Sequence, residues 1–295
     1  MRAPTIEIRD VGPRDGLQSE EPVPREARIA LVDALAHAGL THIEAVSFVS
    51  PKAVPQMAEP AAVLAGIDRR DDVTYWGLVP NVKGAQLAVE AGVDALTVTI
   101  SACPVYNEKN IRRTIAESIA DIATIVEVAD GRTVDVVISC VFGSPYTGDE
   151  PTGTVPDLIA QLSAVGAGRF TLADTTGMAT PTRVERVLHH TGIDVGLHLH
   201  DTRGTALLNA WTAIEAGVTR FDTALGGLGG SPFAAGAGGN LATEDLVHVL
   251  GDAGIETGVD LGGLLAAIPA LAVAIGHDVP GRIATHGPRD AAVTE

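Results

Sequence analysis

Short apolar, β-branched runs alternate along almost the whole chain with longer stretches whose apolar positions recur every three or four residues. The short runs predict strands at 5–10, 42–48, 73–79, 94–100, 133–140, 169–173, 193–198 and 220–225. The longer stretches predict helices near 25–39, 60–66, 82–91, 112–129, 155–165, 181–190, 204–216 and 241–252. Several of these end at Ala38-Gly39, Ala91-Gly92, Val165-Gly166 or Ala216-Gly217, where glycine supplies the left-handed residue that closes a helix. Thr243-Glu244-Asp245 reads as a helix start. Eight βα units in about 250 residues predict an α/β fold, a (β/α)8 TIM barrel. The barrel runs over about 5–252, inside one domain spanning 1–295. A doubly wound sheet would place a glycine fingerprint after the first strand, and none stands there. Residues 258–295 read as an additional C-terminal helical segment with a polar end carrying Pro and Gly.

Composition narrows the partners. Hydrophobic residues make up 46% of the chain but aromatics only 3%, so Ala, Val, Leu and Ile must build the core. No apolar run reaches the roughly 20 residues of a membrane span, and no membrane partner is expected. The formal charge is −17 and the lysines are Lys52, Lys83 and Lys109, which argues against nucleic acid. An anionic small molecule would have to be attracted by a local site. Residues 1–7 lack an apolar signal region, and Cys103 and Cys140 are too few for a disulfide framework. A cytoplasmic protein is expected.

In such a barrel, reactive groups belong at the C-terminal ends of the strands. Arg14 and Asp15 follow the first predicted strand, and Glu44 lies on the second. Asp174 ends the sixth, His198 and His200 end the seventh, and Ser231 and Asn240 follow the eighth. Two residues apart on a strand, His198 and His200 project from one face while Leu199 turns to the helices. A lone His-x-His pair reads as hydrogen-bonded core; Asp15 and Asn240 at the same barrel end turn it toward a divalent cation. Mixed imidazole and oxygen ligands suit Mg2+ or Mn2+ better than Zn2+. Arg14 can bind a carboxylate or carbonyl and stabilise developing charge, or pair with Asp15 or Glu44. Glu44 and Asp174 are expected either to orient ligands and Arg14 or to cap loops. The glycine-rich run 226–240 lacks a P-loop lysine, so it suits a closing loop and not nucleotide hydrolysis.

The longest motifs are Val11-Gly12-Pro13-Arg14-Asp15-Gly16-Leu17-Gln18, Ser47-Phe48-Val49-Ser50-Pro51-Lys52, Asp174-Thr175-Thr176-Gly177, His198-Leu199-His200-Asp201-Thr202 and Gly238-Gly239-Asn240-Leu241-Ala242-Thr243. With these, the chain from about 6 to 265 resembles the 3-hydroxy-3-methylglutaryl-CoA lyases, metal-dependent barrel lyases named for an Asp-Arg-Glu motif. The resemblance implies a divalent cation on Asp15, His198, His200 and Asn240, and retro-Claisen cleavage of a hydroxyacyl-CoA, with a place in leucine catabolism. It implies substrate binding by Arg14 and Gln18, and catalytic roles for Arg14, Glu44, Asp174 and Ser231. Barrel enzymes of this kind often dimerise, so a homodimer is expected. Ser231 stands where the family carries an acidic cysteine, and a serine hydroxyl is a much weaker proton donor. Ser144 and Pro104 also replace an expected Cys and Glu. Cys140 ends the fifth strand as either a pocket neighbour or a buried structural thiol. A related aldolase or condensing enzyme, and a non-catalytic acyl-CoA-binding homologue, are the alternatives.

Overall fold

The computed structural model describes residues 5–148, 153–230 and 238–289. Eight parallel strands close in sequence order: β1 (Glu7–Asp10), β2 (His42–Ser47), β3 (Thr74–Leu78), β4 (Ala95–Ser101), β5 (Thr133–Ser139), β6 (Arg169–Ala173), β7 (Gly196–His198) and β8 (Arg220–Thr223). Closure is made by β1 pairing with β8, from Glu7 opposite Arg220 to Asp10 opposite Thr223. Between the strands run α1 (Arg25–His37), α2 (Pro60–Gly66), α3 (Val82–Glu90), α4 (Pro104–Ile111), α5 (Ile115–Val128), α6 (Thr154–Ala164), α7 (Pro181–Thr191) and α8 (Ala206–Ala216). Three more follow β8: α9 (Thr243–Asp252), α10 (Leu261–Ile275) and α11 (Arg282–His286). The chain is thus the expected TIM barrel, and α10 and α11 form the expected C-terminal addition. Gly39, Gly92, Gly166 and Gly217 all take positive φ, as helix ends demand.

Three local expectations change. The strand expected at 193–198 is paired only from Gly196, because α7 runs to Thr191 and Ile193 is half exposed. The helix expected at 112–129 begins later, at a capping box in which Thr114 and Glu117 satisfy each other's backbone N–H. Ahead of it lies the unexpected α4, with Pro104 in its first turn and Cys103 Sγ accepting from the N–H of Tyr106. The helix start expected at Thr243 is where α9 begins, although the Thr243 hydroxyl donates to Asp10 Oδ2 at 2.6 Å and caps nothing.

The aliphatic core fills the layer between barrel and helices, with Leu35, Val63, Leu96, Ile138, Leu172 and Leu250 fully buried. The barrel interior differs. Arg9 of β1 pairs with Asp135 of β5, and these strands face each other across the barrel, so the contact crosses its axis. Buried charges, in place of the branched aliphatic layers common in such barrels, occupy that level.

Candidate active site

The turn after β1 carries the first two groups. Val11 offers its carbonyl to the N–H groups of Arg14, Asp15 and Gly16, winding 12–16 into a single π-helical turn. That turn aims both charged side chains over the strand ends. Arg14 Nε donates to Glu44 Oε2 and its Nη1 to Asp15 Oδ1, each at 2.5 Å. Arg14 thus pairs with Asp15 and Glu44, one of its two readings, and among the described residues no hydrogen bond engages its Nη2. Glu44 is completely buried and supports Arg14 from beneath.

His198 closes β7, and His200 follows two residues on, bridged to Asn240. Each ring is oriented through Nδ1. That of His198 lies 3.2 Å from Asp222 Oδ2, and that of His200 lies 3.0 Å from the Gly238 carbonyl. Both partners are acceptors, so both Nδ1 atoms carry protons and both Nε2 atoms present lone pairs. These two Nε2 atoms are only 3.1 Å apart. Two lone pairs facing at that distance repel unless a cation or a proton lies against them.

The oxygen donors fit the same demand. One nitrogen or oxygen from each of Asp15, His198 and His200 falls within 4.8 Å of the others. Asn240 Nδ2 donates to Asp15 Oδ2 and to the Leu228 carbonyl, both at 2.8 Å. Its Oδ1 is therefore the end left over, buried and without a hydrogen-bond partner among the described residues. A buried amide oxygen so placed is a cost to the fold unless something positive meets it. A carboxylate, two imidazoles and an amide oxygen make a donor set that suits a divalent cation. Gly229 lets this packing happen: at φ 109° it lies where a Cβ would come 2.4 Å from Asn240 Nδ2.

The charged groups of the site shift one another. Burial alone would raise the Asp15 carboxyl, but Arg14 beside it, with the two histidines, brings it below the ordinary range. Burial and the neighbouring His198 push His200 down to about 4. Burial would also lower His198, yet the bond to Asp222 and the Asp15 charge raise it. The cleft in front of these groups holds about 380 Å3. Its lining includes Arg14, Asp15, Gln18, His198 and His200, together with apolar Val49, Val54, Leu78 and Ile111.

The structure thus brings together Arg14, Asp15, Glu44, His198, His200 and Asn240, with Gln18 lining the same cleft. Asp174 behaves as the loop cap of its two readings. Its Oδ1 accepts from the N–H groups of Met178 and Ala179, and burial pushes its carboxyl up to about 6. Ser231 lies outside the described residues, though Gly230 before it lines the cleft. Cys140 is buried against Cys103 and Tyr106, and Ser144 donates to Cys103 Sγ at 3.1 Å. Asp222 was missed by sequence reasoning. Its signal was present: a carboxylate inside an apolar strand that pairs with the histidine strand.

Comparison with known proteins decides the family. The family model described as HMGL-like matches residues 5–269. The chain belongs to the HMGL-like family. The mitochondrial hydroxymethylglutaryl-CoA lyase of Bos taurus is 43% identical over 270 residues, 89% of this chain and 83% of that one. A 3-hydroxy-3-isohexenylglutaryl-CoA/hydroxy-methylglutaryl-CoA lyase of Pseudomonas aeruginosa is 39% identical over 95% of this chain and 96% of its own. An HMG-CoA lyase structure from Acinetobacter baumannii, in complex with coenzyme A and 3-methylmalate, superposes with TM-score 0.95 at 40% identity, covering 100% of this chain and 99% of that chain. Within the family, the site described above lies at the barrel end where such folds keep their chemistry.

Proposed function

We propose that this chain is a divalent-metal-dependent carbon–carbon lyase that cleaves 3-hydroxy-3-methylglutaryl-CoA, or a close 3-hydroxyacyl-CoA, to acetyl-CoA and a keto acid. One observation carries the reading: the Asp15 carboxylate and the two imidazole Nε2 atoms converge beside Arg14, with the Asn240 amide hydrogen-bonded to that carboxylate. Relatives about 40% identical bear that activity in their names, and one binds coenzyme A.

The chemistry has three demands. The proton of the 3-hydroxyl must leave, the bond between C2 and C3 must break, and the thioester enolate must gain a proton at carbon. When bound, a divalent cation supplies Lewis-acid polarisation of the hydroxyl and its neighbouring carboxylate or carbonyl. Mg2+ or Mn2+ fits the oxygen-rich donor set, with Zn2+ the weaker match. Asp15, His198, His200 and Asn240 would hold it. Arg14, anchored through Nε and Nη1, is pre-set to present Nη2 to the thioester oxygen as charge builds there. Glu44 keeps the guanidinium from swinging away, Gln18 contacts substrate from the cleft rim, and Asp174 holds the loop after β6. Ser231 is the group assigned to return the proton to carbon, a harder task for a hydroxyl than for a thiol.

A relative named for a 3-isohexenyl substrate, and the apolar Val49, Val54, Leu78 and Ile111 in the cleft lining, support a second substrate of the same class with a longer apolar 3-substituent. The expected compartment is the cytoplasm and the expected assembly a homodimer. The test is to incubate Mg2+- or Mn2+-loaded protein with 3-hydroxy-3-methylglutaryl-CoA and its 3-isohexenyl analogue, reading products by mass spectrometry. Metal-dependent acetyl-CoA, abolished by His198→Ala, is the expected result. Folded, metal-loaded protein that releases no acetyl-CoA from either thioester would overturn the assignment.

A further inference from the structure

Beneath the metal-site candidate runs a buried ionic column. Register alone stacks its members: Asp222 on β8 stands opposite His198 on β7 and opposite Arg9 on β1. The Asp222 oxygens accept from Arg9 Nε at 2.8 Å and Nη2 at 2.9 Å. Arg9 Nη1 is ion-paired with Asp135 at 2.9 Å, and the guanidinium lies 4.7 Å over the Trp76 ring. Gripped by a forked donor that is itself wedged on two sides, the Asp222 carboxylate cannot turn. Its Oδ2 also faces His198 Nδ1 at 3.2 Å.

We propose that Asp222 is a positioning residue for the metal site, setting the tautomer and ring angle of His198, with Arg9 locking Asp222 in place. The inference rests on reading Asp15, His198, His200 and Asn240 as metal ligands. An ionised carboxylate can only accept, so Nδ1 of His198 carries the proton and Nε2 is kept as a lone pair aimed at the ion. Asparagine at this position would reverse that logic. Arg9 would claim the amide oxygen, and the amide N–H would face Nδ1 and drive the proton to Nε2. A carboxylate that merely neutralised Arg9 would leave the histidine indifferent to this change.

Mn2+ binding, followed by the EPR signal of free Mn2+, tests the idea on the parent protein and Asp222→Asn. The expected result is saturable binding by the parent and about 10- to 100-fold weaker binding by the variant, the range seen when such outer partners of metal ligands are lost. Saturating metal should restore much of kcat. A parent that binds no Mn2+ overturns the metal reading and this inference with it. A parent that binds, with a folded variant that binds equally well, overturns this inference alone. Should the variant not fold, 1H–15N correlation of the metal-free parent decides, at a pH where the ring is neutral, with the His198 signal assigned by its loss in His198→Asn. A proton on Nδ1 supports the role; a proton on Nε2 ends it.

Discussion

Arg14 and Asn240 show how single residues divide the work of the site. Arg14 spends Nε and Nη1 on Glu44 and Asp15, so its remaining edge has one direction to face. Lysine has one ammonium and cannot hold two carboxylates while reaching a third group. Arg14→Lys is therefore expected to lower kcat about 10²- to 10³-fold, the usual loss for one oxyanion donor. Mn2+ binding should change little, since the donor atoms stay. Asn240→Ala is the converse case. It removes the orphaned oxygen and the bond to Asp15, so Mn2+ affinity should fall about tenfold or more while the fold persists. An EPR titration separates the two: equal metal loss in both variants would contradict this division. At this scale the sequence was highly legible for candidate site groups that sit in contiguous motifs, such as Arg14-Asp15 and His198-Leu199-His200. Asp222 and Arg9 were not visible in that way. Their partners are brought by strand register from three separate strands, and no spacing along the chain encodes it.

Elements were readable where burial pattern and end signals agree. The eight strands, the glycine-terminated helices and the extra C-terminal helices follow from periods and caps. Element α4 was not, because its N-cap is a cysteine and its eight residues carry too few apolar positions to show a helical period, although Pro104 suits a first turn. The omission matters, since α4 brings Tyr106, Asn110 and Ile111 to the cleft. In the glycine-rich segment after β8, Gly229 shows why the chain needs glycine there. A methyl group there would meet Asn240 Nδ2 at 2.4 Å and stand 3.3 Å from Asp15 Oδ2, at a φ that L-residues resist. Gly229→Ala should weaken Mn2+ binding and activity together, by pushing Asn240 and Asp15 apart. Its effect should exceed that of Gly251→Ala in α9, where the added Cβ meets nothing within 4 Å. Equal behaviour of the two variants in metal titration would refute the packing argument.

Across the barrel, five inward carboxyls fall into two groups with opposite consequences for stability. Burial pushes Asp10 and Asp174 up to about 6 and Glu244 up to about 7. Asp15 and Asp222 go the other way: burial is overcome by Arg14 for the first and by Arg9 for the second. The lowered pair stabilises the fold above the ordinary aspartate range and loses that contribution as pH falls. The raised group does the reverse. Between the ordinary glutamate value of 4.5 and about 7, folded Glu244 still holds a proton that the unfolded chain has released. Stability from that group is complete below 4.5 and is lost as pH rises through the window. Glu244 Oε2 accepts from the N–H of Gly226, so its ionisation acts on the turn that leads to Gly229 and Leu228. Glu244→Gln removes the titration. Thermal unfolding of metal-free protein across pH 4 to 8 should then show the Tm of the variant gaining on the parent between about 5 and 7. Below 4.5 the gap should stay constant. Parallel curves over the whole range would mean that Glu244 is ionised in the fold, with the buried Oε1 satisfied by a partner such as water.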